Sequence, residues 1–250
     1  MPTDPASVWF SALDDRHLAD LTPQEVTRAL RALSSCYVHR RDRIPGGGAL
    51  DGAGKRAAFA LFYAPQHFAL TRTIARALGL PSFTRRVVDL GCGTGAAGAA
   101  VALDAPGTAI DGFDVSSWAV HEANWTYRTL RLAGRATIRP IAKVRLKPSP
   151  GSLVLAGWAV NELPEPQQAD LLERLVAARA GGSAVLVIEP IGRRTNRWWA
   201  TWAAAFAAGG GREDDWRMPN DLPARQRGLG EAAGLSGDEL TARSLYLPAR

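Results

Sequence analysis

At 250 residues, 46% of them hydrophobic, the chain is long enough for one large domain or a core domain with a smaller appendage, and global disorder is excluded. Two cysteines, Cys36 and Cys92, are too few for a disulfide scaffold or a tetrahedral zinc site, and His17, His39, His67 and His121 show no paired spacing, so no metal is expected. The net charge of +6 invites a nucleic-acid partner, but all basic residues except Lys55, Lys143 and Lys147 are arginine in an Ala- and Gly-heavy chain, so the position of the charge matters more than its total.

No apolar run approaches the ~20 residues of a membrane span. The start, Met1-Pro2-Thr3-Asp4-Pro5, has neither the cationic beginning nor the apolar stretch of a secretory signal, and the expectation is a cytoplasmic protein.

Residues 1 to about 80 read as helical. Thr22-Pro23-Gln24-Glu25 combines a capping Thr, a proline at the first helical position and an acid at the third; Val26, Leu30 and Leu33 follow at helical spacing, predicting a helix to about Val38. From His39 to Gly54 the chain is too polar and glycine-rich for regular structure and reads as a mobile loop. A second helical block runs from about Lys55 to Leu78, with a break expected at Ala64-Pro65 because proline disfavours helical geometry in the residue before it.

Beyond Arg85 short β-rich runs alternate with helical stretches. Strands are predicted at 86–90, 110–114, about 137–141, 152–156, 183–188 and 242–247, and helices at about 95–104, 117–132, 166–180 and 195–208. Such alternation implies an α/β fold, a doubly wound, mostly parallel sheet covered by helices on both faces.

The most informative segment is Val87-Val88-Asp89-Leu90-Gly91-Cys92-Gly93-Thr94-Gly95-Ala96-Ala97-Gly98, an apolar strand running through alternating glycines into a small-residue helix. Glycine lets the backbone turn tightly and approach a ligand with no Cβ in the way. Gly93-x-Gly95-x-x-Gly98 also satisfies the dinucleotide fingerprint. The ionisable Asp89, two residues before the first glycine, suits a cationic or amino-bearing ligand better than a pyrophosphate. The second strand ends at Asp114, 19 residues after Gly95, where a carboxylate can accept both hydroxyl hydrogens of a ribose. Asp111 is its rival but lies inside the strand.

Asp89, Gly91, Gly93 and Gly95 together resemble the first motif of the class I S-adenosylmethionine-dependent methyltransferases, an acid followed by Gly-x-Gly-x-Gly at the end of the first strand. The resemblance implies a Rossmann-like, seven-stranded-type sheet. It makes residues 81–250 the cofactor-binding domain and residues 1–80 a helical N-terminal cap. It implies S-adenosylmethionine as cofactor, held by Asp89, Gly91, Cys92, Gly93, Gly95 and Trp158, with Asp114 on the ribose and Val115 beside the adenine.

The fourth strand delivers Gly157-Trp158-Ala159-Val160-Asn161-Glu162-Leu163 to the edge where ligands bind in open α/β sheets. Asn161 and Glu162 are the polar groups there, either touching substrate as weak catalytic candidates or capping the helix that begins near Pro164. Neither cysteine is placed for the covalent chemistry of cytosine C5 methylation, and the Asn-Pro-Pro-aromatic motif of many amino-group methyltransferases is absent.

A narrower resemblance rests on Cys36-Tyr37-Val38-His39-Arg40-Arg41, the glycine loop, Val160-Asn161-Glu162-Leu163-Pro164 and Val185-Leu186-Val187-Ile188-Glu189-Pro190. Together these look like the ribosomal small-subunit methyltransferase-like family, whose mitochondrial members are implicated in subunit assembly. Many members carry a cysteine cluster for an iron–sulfur centre downstream of the fifth strand; here Gly209 to Arg217 contains no cysteine, and the cluster is not carried over.

Between Glu122 and Glu162 there is no acid, while Arg128, Arg131, Arg135, Arg139, Lys143, Arg145 and Lys147 contribute +7. Either this is a solvated basic face or part of it contacts a phosphate backbone. Arg193, Arg194 and Arg197 form a second cluster after the fifth strand. Trp198, Trp202 and Phe206 share one face of the next helix, with Trp199 beside it, as core packing or as a stacking surface for bases. RNA is the leading expected partner. The alternatives are a small-molecule acceptor in an enclosed aromatic pocket and a cofactor-binding assembly or RNA-binding factor without catalysis.

Overall fold

The computed structural model describes residues 4–39, 50–147, 149–192, 197–235 and 237–250. Along the chain run α1 (Pro5–His17), α2 (Pro23–His39), α3 (Ala53–Ala58), a π-helical turn (Phe59–Tyr63), α4 (Ala64–Ala77), β1 (Arg86–Leu90), α5 (Ala96–Leu103), β2 (Ala109–Asp114), α6 (Ser117–Thr129) and β3 (Ala133–Ile138). They are followed by β4 (Ser152–Gly157), α7 (Glu165–Ala180), β5 (Ala184–Glu189), α8 (Trp199–Ala208), β6 (Arg212–Pro219), α9 (Ala224–Ala233) and β7 (Glu239–Leu247). Most of the stretch read as a glycine-rich loop, residues 40–49, lies outside the described residues, as do Arg193 and Arg194.

The seven strands form one sheet in the order β3-β2-β1-β4-β5-β7-β6. The pairs β1–β2, β1–β4, β2–β3 and β4–β5 are parallel, and β5–β7 is antiparallel. The expected doubly wound α/β sheet is therefore present. Strand order reverses beside β1, so the carboxyl ends of β1, β2 and β4 border the crevice where such sheets take ligands. The central strands are apolar on both faces: every residue of β5 is buried, as are residues 152–156 of β4, which is what a sheet covered by helices on both sides demands.

The chain divides into a helical unit, Met1–Ala69 with Met218–Leu240, and a sheet unit, Leu70–Arg217 with Thr241–Arg250. In the helical unit Trp9 and Phe68 are buried with ring centroids 5.1 Å apart. The α2 capping box forms as its residues predict: the Thr22 N–H donates to Glu25 Oε2 (2.8 Å), and the Glu25 N–H donates to Thr22 Oγ1 (3.3 Å). Val26, Leu30 and Leu33 are fully buried along its inner face. The helical unit also takes in α9, whose Gln226 Nε2 donates to Asp14 Oδ1 (3.3 Å) and whose Arg225 pairs with Asp14 (3.0 Å).

Three local expectations change. Pro65 does not interrupt the helix; the π turn directly before it, with the Ala64 N–H reaching back to the Phe59 carbonyl, widens the helix where a proline ring would collide with the carbonyl four residues earlier. The third strand begins at Ala133 instead of about 137. Its Ala-Gly start has little strand propensity, but pairing with β2 (Ala109↔Ala133 to Asp114↔Ile138) overrides that preference. β6 has no signal in the sequence, because Arg212-Glu213-Asp214-Asp215-Trp216-Arg217 lacks an apolar run. It is the edge strand, where charges on the open side are tolerated, and only the alternate residues Asp214, Trp216 and Met218 are half-buried.

One side chain organises the β2–β3 side. Tyr127 of α6 is fully buried, and its ring lies where Cβ atoms on Gly95 and Gly134 would come within 2.8 and 2.7 Å. Its hydroxyl has no hydrogen-bond partner among the described residues. Gly134→Ala should therefore cost about 1–3 kcal/mol by overpacking. Tyr127→Phe should leave stability unchanged or raise it by up to about 1 kcal/mol, since it removes an unsatisfied buried hydroxyl. Urea unfolding midpoints of the two variants check both.

Candidate cofactor and acceptor site

The loop leaving β1 is built on three left-handed glycines, Gly91 (φ 70°), Gly93 (φ 52°) and Gly95 (φ 79°). Such backbone is costly for residues carrying a Cβ. Space forbids one too: a Cβ on Gly91 would lie 2.6 Å from the Ala159 Cβ, and one on Gly98 would lie 2.7 Å from Asp89 Oδ2. The loop is thus pressed between the segment after β4 and the small-residue helix α5, seven of whose eight residues are buried.

Asp89 is 1% exposed. Its Oδ2 accepts the Gly98 N–H (3.0 Å), and its Oδ1 has no partner among the described residues. Burial pushes its pKa up to about 7; the Gly98 hydrogen bond opposes the rise and the Asp114 charge adds to it. Asp114 closes β2. Its Oδ2 accepts the Gly93 N–H (3.0 Å) and its Oδ1 accepts the Ser116 N–H (2.8 Å), so the glycine loop and the end of the second strand are tied through one carboxylate. Burial raises this pKa as well, against the hydrogen bonds from Ser116, Gly93 and Val115. Each carboxylate oxygen keeps further lone-pair capacity for hydroxyl donors. Val115, next in the chain, is 53% exposed, an apolar surface beside the acid. Asp111, the rival acid, is engaged on the strand by Arg86 (2.6 Å).

Cys92 differs from the other loop positions. Its side chain is buried toward Gly112, where a Cβ would meet the sulfur at 3.0 Å, and its N–H donates to the Phe113 carbonyl (3.0 Å). Burial raises the thiol pKa well above its ordinary value. The side chain therefore packs inward as an inert thiol, and what Cys92 offers a ligand is backbone.

The segment after β4 begins with Trp158, a non-glycine residue at φ 54° whose N–H donates to the Ile188 carbonyl (2.7 Å). A bulky side chain in this region is an outlier of the kind that clusters at functional sites. A 3-10 turn, Val160–Glu162, follows. Asn161 does not cap the next helix: α7 has no side-chain cap, and the N–H groups of Gln167 and Gln168 in its first turn donate to the Pro164 carbonyl. Instead the Asn161 amide donates from Nδ2 to Glu189 Oε2 (2.7 Å) and accepts the Trp198 indole N–H at Oδ1 (2.9 Å). Both ends of Asn161 are thereby engaged with protein, while Glu162 is exposed. Glu189, the terminal residue of β5, stands in the sequence only as part of Ile-Glu-Pro; nothing local signals that its carboxylate turns back to residues 28 and 29 positions earlier. Trp202 and Phe206, with Trp199 beside them, are buried in the core beneath β4 and β5, and Trp198 is half-buried against it, so the aromatic stripe is packing.

Among the cations, Arg135, Arg139, Lys143, Arg145, Lys147 and Arg197 are exposed. Arg139 follows β3 directly, its N–H donating to the Asp114 carbonyl (2.8 Å), and the run continues down the β3–β4 connection. That connection is fixed by Arg174 of α7, which donates to the carbonyls of Ile141 (3.2 Å) and Val144 (2.5 Å). Among the described residues no group of three or more His, Cys, Asp or Glu side chains is placed to hold a metal ion, and no described helix is long and apolar enough to cross a membrane.

Asp89 and Glu189 are buried acids with raised pKa, so the folded protein retains protons that the unfolded chain gives up. Stability should be greatest below pH 4 to 5 as far as these two groups are concerned, and should fall as pH rises through about 7 for Asp89 and about 8 for Glu189. The Asp89 shift alone is worth about 4 kcal/mol at most. Asp89→Asn, which keeps an acceptor for Gly98, should flatten part of the decline between pH 5 and pH 8 in urea midpoints; a slope equal to the parent's would contradict the assignment.

Residues 69–144 match the family model of the methyltransferase small domain. Over 69 residues the chain is 46% identical to the ribosomal RNA large subunit methyltransferase G of Streptomyces coelicolor, a match covering 28% of this chain and 18% of that protein. The chain thus spans less than a fifth of the curated relative's length. Among solved structures it is similar to the mitomycin 7-O-methyltransferase MmcR, with a TM-score of 0.55 and 16% identity over 99% of this chain and 74% of that one. It is also similar to the plantazolicin methyltransferase BpumL solved with SAH, with a TM-score of 0.51 and 12% identity over 91% and 98% of the two chains. At these identities the structural likeness speaks for the fold. The family match over residues 69–144, together with the glycine motif and the acids of β1 and β2, supports a class I S-adenosylmethionine-dependent methyltransferase.

Proposed function

We propose that the chain transfers a methyl group from S-adenosylmethionine to RNA, with small-subunit ribosomal RNA as the first substrate to test. The cofactor supplies a methyl group on a positively charged sulfur, ready for in-line displacement. The orphaned Asp89 Oδ1 and the Cβ-free surface of the glycine loop suit its amino-acid end. Asp114 accepts from the ribose hydroxyls, Val115 lies against the adenine, and Gly91, Cys92, Gly93 and Gly95 contribute backbone. Trp158 and the turn behind it border the acceptor. What the protein does for such a displacement is chiefly alignment and exclusion of water. A base is required only where the attacking atom carries a proton that must leave. Asn161, bound at both ends, is a poor candidate for that role, and Glu162 is the exposed carboxylate of the same turn.

The observation that carries the RNA reading is the exposed basic run from Arg135 to Lys147, in which Arg139 is one hydrogen bond from Asp114 and no member has an ion-pair partner among the described residues. A cation row adjoining the methyl donor's edge suits a phosphate backbone laid past the reacting nucleotide. Arg197, after β5, is a further exposed cation, while Arg193 and Arg194 lie outside the described residues. The partial identity to a large-subunit ribosomal RNA methyltransferase supports RNA as the acceptor, and the choice of small-subunit RNA rests on the narrower sequence resemblance. A small-molecule acceptor is the second reading, in keeping with the fold's likeness to O-methyltransferases of small compounds such as MmcR. An assembly factor that binds cofactor without transferring methyl is the third.

Calorimetry should detect S-adenosylmethionine binding, and Asp114→Ala should weaken it at least tenfold, or about 1.4 kcal/mol; equal affinity would remove Asp114 from the site. RNA affinity should fall steeply with salt, and Arg139→Ala and Lys143→Ala should each lower the logarithmic salt slope by about 1. Salt-insensitive binding would favour the small-molecule reading. Mass spectrometry of small-subunit RNA treated with protein and cofactor should find one added methyl group, and binding without any added methyl would favour the assembly factor.

A further inference from the structure

Glu189 is 1% exposed at the carboxyl end of β5. Its Oε1 accepts the backbone N–H groups of Val160 (2.9 Å) and Asn161 (3.2 Å), and its Oε2 accepts Asn161 Nδ2 (2.7 Å). The orientation of Asn161 is not arbitrary. An indole N–H can only donate, so the Trp198 Nε1 contact (2.9 Å) requires Oδ1 on that side and turns Nδ2 toward Glu189. All three groups on Glu189 are therefore donors, the pattern that satisfies a carboxylate. From the other side Gln168 Nε2 donates to the carbonyls of Val160 and Leu163, both at 3.0 Å. Ahead of the turn, left-handed Trp158 is tied to Ile188, and Ala159 fills the space beside Gly91.

We infer that Glu189 is a positioning residue for methyl transfer: its carboxylate, oriented through Asn161 and Trp198, fixes the backbone of the turn after β4 and thereby holds Trp158–Glu162 against the glycine loop. The catalytic consequence rests on the proposed reaction; the geometry does not. Charged groups around it sharpen the point. Glu162, on the turn itself, adds to the burial that pushes Glu189 up to about 8. Arg243, its register partner on β7, is drawn away to Glu213 (2.5 Å) and Asp215 (3.7 Å), with its guanidinium 4.0 Å over the Trp199 ring. The contacts from α7 and from the start of α8, through Gln168 and Trp198, are uncharged. No described cation pairs with the carboxylate, so near neutral pH a proton competes with the three donors for its lone pairs.

The test uses the full chain with 15N-labelled tryptophan. The Trp198 indole N–H resonance, assigned by its disappearance in Trp198→Phe, should move between pH 6 and pH 9 with a midpoint near 8 and stay flat in Glu189→Gln. With saturating S-adenosylmethionine and small-subunit RNA, Glu189→Gln should lower kcat at least tenfold while the cofactor Kd changes less than threefold. A parent resonance that does not titrate, a Glu189→Gln resonance that still does, or a parental kcat in that variant would each overturn the inference. If the parent methylates none of this RNA, the substrate reading fails by itself and the indole titration still decides. Should Glu189→Gln not fold, Trp198→Phe serves in its place: the Asn161 side-chain amide, slow to exchange in the parent, should exchange freely, and unchanged exchange would overturn the proposal.

Discussion

Close approach of backbone to side chain at the carboxyl ends of β1, β2 and β4 is the constraint on which the site depends. Gly91 lies against Ala159, Gly98 against Asp89, and Gly95 against Tyr127. Each contact is shorter than a Cβ would permit, so the cofactor loop, the second strand and the turn after β4 are located by what these positions lack. Asp114 adds the polar half of the same arrangement, accepting from Gly93 on one side and Ser116 on the other. A ligand entering this edge meets a surface already organised, and little of its binding energy is spent on ordering the loop.

The two buried acids share a logic. Asp89 and Glu189 sit at the ends of strands on either side of β4, each paired only with donors from neighbouring backbone or amide and each raised by burial. Burying a carboxylate without a cation costs stability, and the natural chain carries two such costs within one edge of its sheet. Placement of buried acids without a cation at one edge, together with the left-handed Trp158, is what sets the candidate site apart from the well-satisfied core under α7 and α8.

Legibility followed range of interaction. Asp89, the glycines and Asp114 could be read because their spacing along the chain carries the chemistry, and β4 and β5 because burial on both faces leaves an unbroken apolar run. β6 could not, since its charges make sense only once it is an edge strand, and the start of β3 could not, since Ala133 and Gly134 owe their conformation to β2 and to the ring of Tyr127. Cys92 and Asn161 were visible as residues but not as directions. The inward turn of the thiol depends on Gly112, and the orientation of the amide depends on an indole 37 residues away. Likewise nothing between Met218 and Leu240 announces that it joins the N-terminal helices.

That last feature bears on how the protein is made. The helices before Ala69 leave the ribosome first, yet α9, which supplies the Gln226 and Arg225 contacts to Asp14 and the carbonyl that accepts Arg31, arrives only after nearly the whole sheet has been synthesised. The helical unit therefore lacks these contacts until α9 follows β1 to β6 in the chain. Contacts between segments so far apart in sequence are slow to form, so this unit, helical and rich in local contacts as it is, is completed by a long-range step.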